Sequence, residues 1–186
     1  MDELLARYAA DPKNANLNFE LASKFKEIKH YAGACSYFLR CAEWANTGID
    51  WLLVYESLIQ ISMCFRELGN RQWSEEGWLM HAISYVPRRP EAYWLLSMLY
   101  ERQKKLQESY LFATLGLNCI DYWPEFKINI GWEGMYVLIF QKAVAAWWIG
   151  RYTESKDLFI SIIETLNISD KYKQACLNNL NIINRL

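Results

Sequence analysis

Residues 90–100, PEAYWLLSMLY, and 101–117, ERQKKLQESYLFATLGL, decide how this chain is read. Their apolar residues recur at helical spacing, which predicts two short helices folded against each other. Leu96, Ser97 and Tyr100 give the first helix a large-small-large face. Ser109, Ala113 and Gly116 give the second small residues at matching intervals, so the two backbones can approach closely. A helical hairpin of this length cannot bury its apolar face alone and must stack on copies of itself. Such a stack presents surfaces for binding, and binding rather than catalysis is the reading.

The same arrangement recurs on either side. Leu21, Ala22 and Phe25 precede Ala34, Phe38 and Cys41. Ile61, Ser62 and Phe65 precede a turn at Gly69-Asn70, then Leu79, Ala82 and a closing Pro87, with one extra residue near Trp73 in the turn. Ala143 and Ala146 precede Gly150-Arg151-Tyr152, with Ser155, Phe159 and Ile162 after it; Lys142 stands where an aliphatic is expected. Two antiparallel helices in a period of about 34 residues resemble the tetratricopeptide repeat. The expected fold is therefore all-α: a right-handed α-α superhelix, a solenoid of about four helical hairpins plus a C-terminal capping helix. One domain over residues 1–186 is expected, with repeats at 15–48, 55–88, 90–120 and 136–168 and a capping helix at 169–186.

The flanks fit this plan. Leu4, Leu5 and Tyr8, ending at Asp11-Pro12, read as the second helix of an earlier hairpin or as an independent cap. Ser169 is placed to cap an expected final helix through Tyr172, Cys176, Leu180 and Ile183, which would cover the last apolar face. Residues 119–133, CIDYWPEFKINIGWE, do not fit. Pro124, Gly131 and the alternation Phe126-x-Ile128-x-Ile130 predict a long, partly extended loop or small hairpin; long aromatic loops are often functional, but packing over the solenoid edge is the favoured reading.

Composition narrows the function. The chain is 53% hydrophobic, ample for a continuous core, and eight Gly and four Pro favour long helices over many tight turns. A formal net charge of −1 gives no general attraction for nucleic acid or anionic lipid. No apolar run approaches the roughly 20 residues of a membrane span. The start, MDELLARYAADP, lacks the basic-then-apolar layout of a signal peptide. Cys35, Cys41, Cys64, Cys119 and Cys176 are odd in number and without C-x-x-C spacing, so each reads as a small buried hydrophobe, with a reducing cytoplasm as the expected home.

Three stretches carry a more particular likeness: residues 10–44, 74–117 and 145–159. Within and beyond them lie Pro87-Arg88-Arg89-Pro90-Glu91-Ala92, Gly150-Arg151-Tyr152-Thr153-Glu154 and the closing helix from Asn179 through Asn184. Together these resemble the tetratricopeptide region that accompanies bacterial and phage family 2 glycosyltransferases. The resemblance implies a repeat domain attached to, or working beside, an enzyme that transfers sugars. Such transferases carry an Asp-x-Asp-type motif on an α/β domain, and Asp2, Asp11, Asp50, Asp121, Asp157 and Asp170 never take that spacing. It implies an accessory role, not transferase activity by this chain.

Direct signs of chemistry are weak. His30 at a predicted turn and His81 on a predicted helix belong to no triad pattern. Glu75-Glu76 reads as a charged helix start, and Arg88-Arg89 and Lys104-Lys105 as solvated turns. No Gly-rich phosphate loop occurs. No catalytic residue, metal or cofactor is expected.

A partner would meet the inward stripe of each first helix. The register places Asn16, Phe19, Ser23, Lys26 and Glu27 there from the first repeat, and Glu56, Ile59, Met63, Arg66 and Glu67 from the second. The third supplies Glu91, Trp94, Met98, Glu101 and Arg102; the fourth, Phe140, Val144, Trp147 and Trp148. Phe19 and Ser23 stand where some family members carry the Lys and Asn that clamp a peptide's terminal carboxylate, which disfavours that mode. Trp94, Arg66 and Arg102 are the leading contacts, being of types enriched at interface hot spots. The competing reading has Trp94, Trp147 and Trp148 filling the interior or touching the long loop. The expected function is a scaffold for a protein or peptide ligand, which the resemblance implies is a glycosyltransferase domain; the alternative is a carbohydrate-binding module using Trp94 or Trp147 as a stacking face.

Overall fold

A computed structural model of the chain describes residues 1–120, 124–164 and 168–183. Asp121, Tyr122 and Trp123 of the irregular loop, residues 165–167 of the expected fourth repeat and Asn184 of the closing motif lie outside the described residues. Among those described, ten helices occur and no strand. They are α1 (Asp2–Ala10), α2 (Ala15–Glu27), α3 (Tyr31–Thr47), α4 (Trp51–Leu68), α5 (Gln72–Tyr85), α6 (Glu91–Arg102), α7 (Leu106–Gly116), α8 (Tyr136–Trp148), α9 (Tyr152–Glu164) and α10 (Asp170–Ile183). The all-α expectation holds. Residues 124–134 are neither helix nor strand.

Local chemistry sets the helix ends. The Asn14 side chain accepts from the Leu17 N–H at 3.1 Å and Asp50 from the Leu53 N–H at 3.1 Å, so α2 and α4 start on side-chain caps. His30 does the same for α3, its Nδ1 accepting from the Gly33 N–H. Four turns between helices then close alike. His30, Asp50, Lys105 and Arg151 each donate a backbone N–H to the carbonyl five residues back, on Phe25, Ala45, Tyr100 and Ala146, at 2.8–2.9 Å. This bond ends a helix when the residue before the donor is left-handed. Lys29, Ile49, Lys104 and Gly150 fill that place, with φ of 60°, 62°, 61° and 83°. Only Gly150 adopts it without a Cβ penalty.

Burial follows the small and large faces. Leu21, Ala22, Ala34, Phe38, Cys41, Ile61, Ser62, Leu79 and Ala82 are buried, as are Leu96, Ser97, Ala113, Ala143, Phe159 and Ile162. Gly116 is buried where α7 comes closest to its neighbours. The chain divides into two compact units. The first is Met1–Pro87 with Pro124–Phe126, and the second holds the other described residues from Arg88 on. In the first, α2 packs on α3, α3 on α4 and α4 on α5. In the second, α6 packs on α7, α7 on α8, α8 on α9 and α9 on α10.

Candidate functional site

In the first unit, one turn of α2 and one of α4 set a polar contact beside an apolar one. Lys26 Nζ donates to Gln60 Oε1 at 2.5 Å. Burial holds the Lys26 ammonium below its usual pKa; the Cys64 thiol and the Arg66 guanidinium also act on it. Gln60 is fully buried, and its Nε2 makes no hydrogen bond to protein. Met63 and Arg66 flank the contact and are half-buried, with Arg66 Nε 3.7 Å from Glu67 Oε1. Ser23 turns back to donate to the Phe19 carbonyl at 2.8 Å.

Three inward candidates of this unit are interior. Phe19 meets Phe38 of α3 edge-on at 5.3 Å, so it faces its own partner helix. Glu56 and Ile59 are buried on α4, whose inward stripe is covered along most of its length. Tyr55, on the same helix, lies 5.9 Å from the ring of Phe126.

In the second unit, Glu91 is buried and bound to Arg89. The Arg89 Nε donates to both Glu91 oxygens at 3.0–3.1 Å, and Nη2 donates to Oε1. Pairing both charges offsets the large cost of burying either one alone. Trp94 is 5% exposed, and Trp132 stacks edge-on against it at 5.7 Å. The irregular segment thus packs on α6, with Ile130 buried and Gly131 left-handed at φ 83° beside the Trp94 ring. Met98 and Glu101 are half-buried and Arg102 is exposed. Gln141 Nε2 of α8 donates to Glu101 Oε2 at 2.5 Å, fixing that carboxylate.

The remaining candidates diverge along α8. Phe140 turns to α9 and α10, meeting Phe159 at 5.6 Å and Tyr172 at 5.1 Å. Val144 belongs to the same cluster. Trp147 packs on Tyr152 at 4.7 Å, while Trp148 stands 66% exposed. The structure therefore gathers Lys26, Met63 and Arg66 on one surface, and Met98, Glu101 and Arg102 on another. Sequence reasoning missed Gln60, Gln141 and Trp132, and it read Arg89 as solvated, whereas its pairing with Glu91 holds it buried. For Gln60 a signal existed: it lies 34 residues after Lys26, one repeat period.

Neither histidine faces a nucleophile in the contacts it makes. His30 caps α3 and lies 5.4 Å from Phe25, and His81 stacks on Trp78 at 5.8 Å. No group of three His, Cys, Asp or Glu side chains among the described residues is arranged to hold a metal ion. No helix of the described residues is long and apolar enough to cross a membrane.

With that geometry in view, the chain can be set beside known structures. MamA superposes with a TM-score of 0.64 at 14% identity, over 87% of this chain and 83% of that one. PilF of Pseudomonas aeruginosa gives 0.65 at 10%, over 95% and 72%. TTC0263, a thermophilic TPR protein of Thermus thermophilus, gives 0.52 at 11%, over 90% and 99%. The fold is a tetratricopeptide-type α-α solenoid. At these identities the likeness speaks for the fold alone. No protein-family model matches the sequence, and no curated protein matches it.

Proposed function

We propose that this tetratricopeptide-type chain is a non-catalytic scaffold that binds a protein or peptide through the inward surfaces of its first helices. The observation that carries the reading is a pair of surfaces: half-buried Lys26, Met63 and Arg66 in one unit, and half-buried Met98 and Glu101 with exposed Arg102 in the other. Each couples a flexible thioether with at least one cation and a hydrogen-bonded frame from Gln60 or Gln141. Methionine adapts to varied apolar side chains, and arginine is enriched at interface hot spots. The leading partner is the family 2 glycosyltransferase implied by Pro87–Ala92, Gly150–Glu154 and the closing helix, with the cytoplasm as the setting.

The test is titration with the purified catalytic domain of a family 2 glycosyltransferase. Saturable binding is expected, weakened about tenfold or more by Arg66→Glu or Arg102→Glu with unchanged melting. Absence of saturable binding would reject the glycosyltransferase partner, and binding indifferent to both variants would reject the surfaces.

A second reading rests on Trp148, which is 66% exposed and available to stack on a sugar ring. Trp94 no longer supports it, because Trp132 covers its ring. Calorimetric titration with oligosaccharides separates the two readings: heat that vanishes in Trp148→Ala favours the sugar module, and no heat at all rejects it.

A further inference from the structure

Two cysteines that the sequence leaves 29 residues apart meet between α3 and α4. Cys35 projects from the second turn of α3 and is half-buried, and Cys64 lies on the last full turns of α4 and is buried. The Cys35 Sγ reaches the Ile61 carbonyl of α4 at 3.9 Å, one turn before Cys64, and its thiol also hydrogen-bonds to that of Cys64. Helices α3 and α4 belong to successive hairpins, so this contact lies where one hairpin stacks on the next. We propose that Cys35 and Cys64 form a reversible dithiol–disulfide site, which a peroxide oxidises and a dithiol reduces, stapling α3 to α4.

The surroundings divide the labour between the two sulfurs. The hydrogen bond from Cys64 stabilises the Cys35 thiolate and lowers its pKa, against the opposing effect of burial. The same bond, together with burial, pushes the Cys64 thiol up. The charges beside Cys64 are the Lys26 ammonium and the Glu67 carboxylate. Cys35, half-buried, is thus the more accessible sulfur and the place for an attacking thiol, and Cys64, buried behind it, is the resolving one.

The steps balance. The Cys35 thiolate attacks one peroxide oxygen, the O–O bond breaks and hydroxide leaves, giving a sulfenic acid on Cys35. Cys64 then attacks that sulfur, losing its proton to the departing hydroxyl. The S–S bond forms, the S–O bond breaks and water leaves. Two thiols and one hydrogen peroxide yield one disulfide and two waters. A dithiol reductant reverses the change by two thiol–disulfide exchanges.

The experiment uses the full chain and hydrogen peroxide. After oxidation, remaining thiols are alkylated under denaturing conditions and the protein is digested without reduction. Trypsin leaves Cys35 in residues 30–40 but Cys41 and Cys64 together in residues 41–66, so fragmentation must place the link. The expected product joins Cys35 to Cys64, disappears with dithiothreitol, and melts about 5–10 °C higher than the reduced chain. In Cys64→Ser, Cys35 should stop at a sulfenic acid trapped by dimedone; in Cys35→Ser, Cys64 should stay alkylatable. Retention of both thiols at peroxide levels that oxidise exposed methionines would overturn the proposal. So would a link at Cys41, or cross-linking of Cys35 between two molecules.

Discussion

Lys142 stands where the repeat wants an aliphatic, and its surroundings explain how the position tolerates a charge. Its Nζ lies 2.9 Å from Glu154 Oε1 and 5.2 Å from the centre of the Tyr110 ring. Tyr110 donates its hydroxyl to Glu154 at 2.8 Å, and the Arg151 guanidinium covers the ring from 4.5 Å. Burial pushes the Glu154 carboxyl up, but the bonds from Lys142, Tyr110 and Arg151 win and hold it below its ordinary pKa of 4.5. A depressed carboxylate stabilises the fold fully above the unfolded pKa and loses that contribution as pH falls through the folded one. Melting temperature should therefore fall with acid below about pH 4.5, and Glu154→Gln should flatten part of that slope. An unchanged slope would remove Glu154 from the account. Ile49 offers a second test at this scale: it is β-branched, left-handed at φ 62° and 86% exposed. Ile49→Gly relieves strain at little loss of packing and should raise stability by about 1 kcal/mol in urea titrations. A decrease would show that the turn carries no strain.

Close approach between helices is where reading the sequence succeeded best. Ser109, Ala113 and Gly116 were legible as a small face because tight packing leaves few residue types to choose from, and all three are buried. A Cβ at Gly116 would sit 2.8 Å from Tyr93 Cβ and 2.9 Å from Leu138 Cδ1. Both atoms are fixed, one by the α6 backbone and the other by a fully buried leucine. Gly116→Ala should thus destabilise by about 1–3 kcal/mol through overpacking, despite the better helix propensity of alanine. Chemical denaturation decides; a stabilised variant would mean the helices can separate at no cost. The inward stripe was less legible. Helical spacing gives a residue's direction on its own helix but says nothing of what covers it. Trp132 lies outside every repeat, so nothing in the period placed it over Trp94. Phe140 has the right phase for an inward residue, yet Tyr172 of α10 gives its ring an apolar site.

At the scale of the molecule, the solenoid was legible because each hairpin needs its neighbour's apolar face, and that need is written as a period. The division into two compact units was not, since Pro87 closes a repeat in the same way whether or not packing continues past it. The end of the second unit follows from the same logic. The cluster of Ala143, Phe159 and Ile162 is completed by Cys176 of α10, with Phe140, Leu158 and Leu180 around it. Without α10 that cluster would face water, at roughly 25 cal/mol for each Å² of apolar surface exposed. A chain ending at Ile168 should therefore lose amide protection in α8 and α9 by tenfold or more, while α2 to α4, which share no part of the cluster, keep theirs. Hydrogen exchange read by mass spectrometry distinguishes the outcomes. Equal loss throughout would make the two units a single cooperative body, and protection unchanged everywhere would mean that α10 covers nothing the fold depends on.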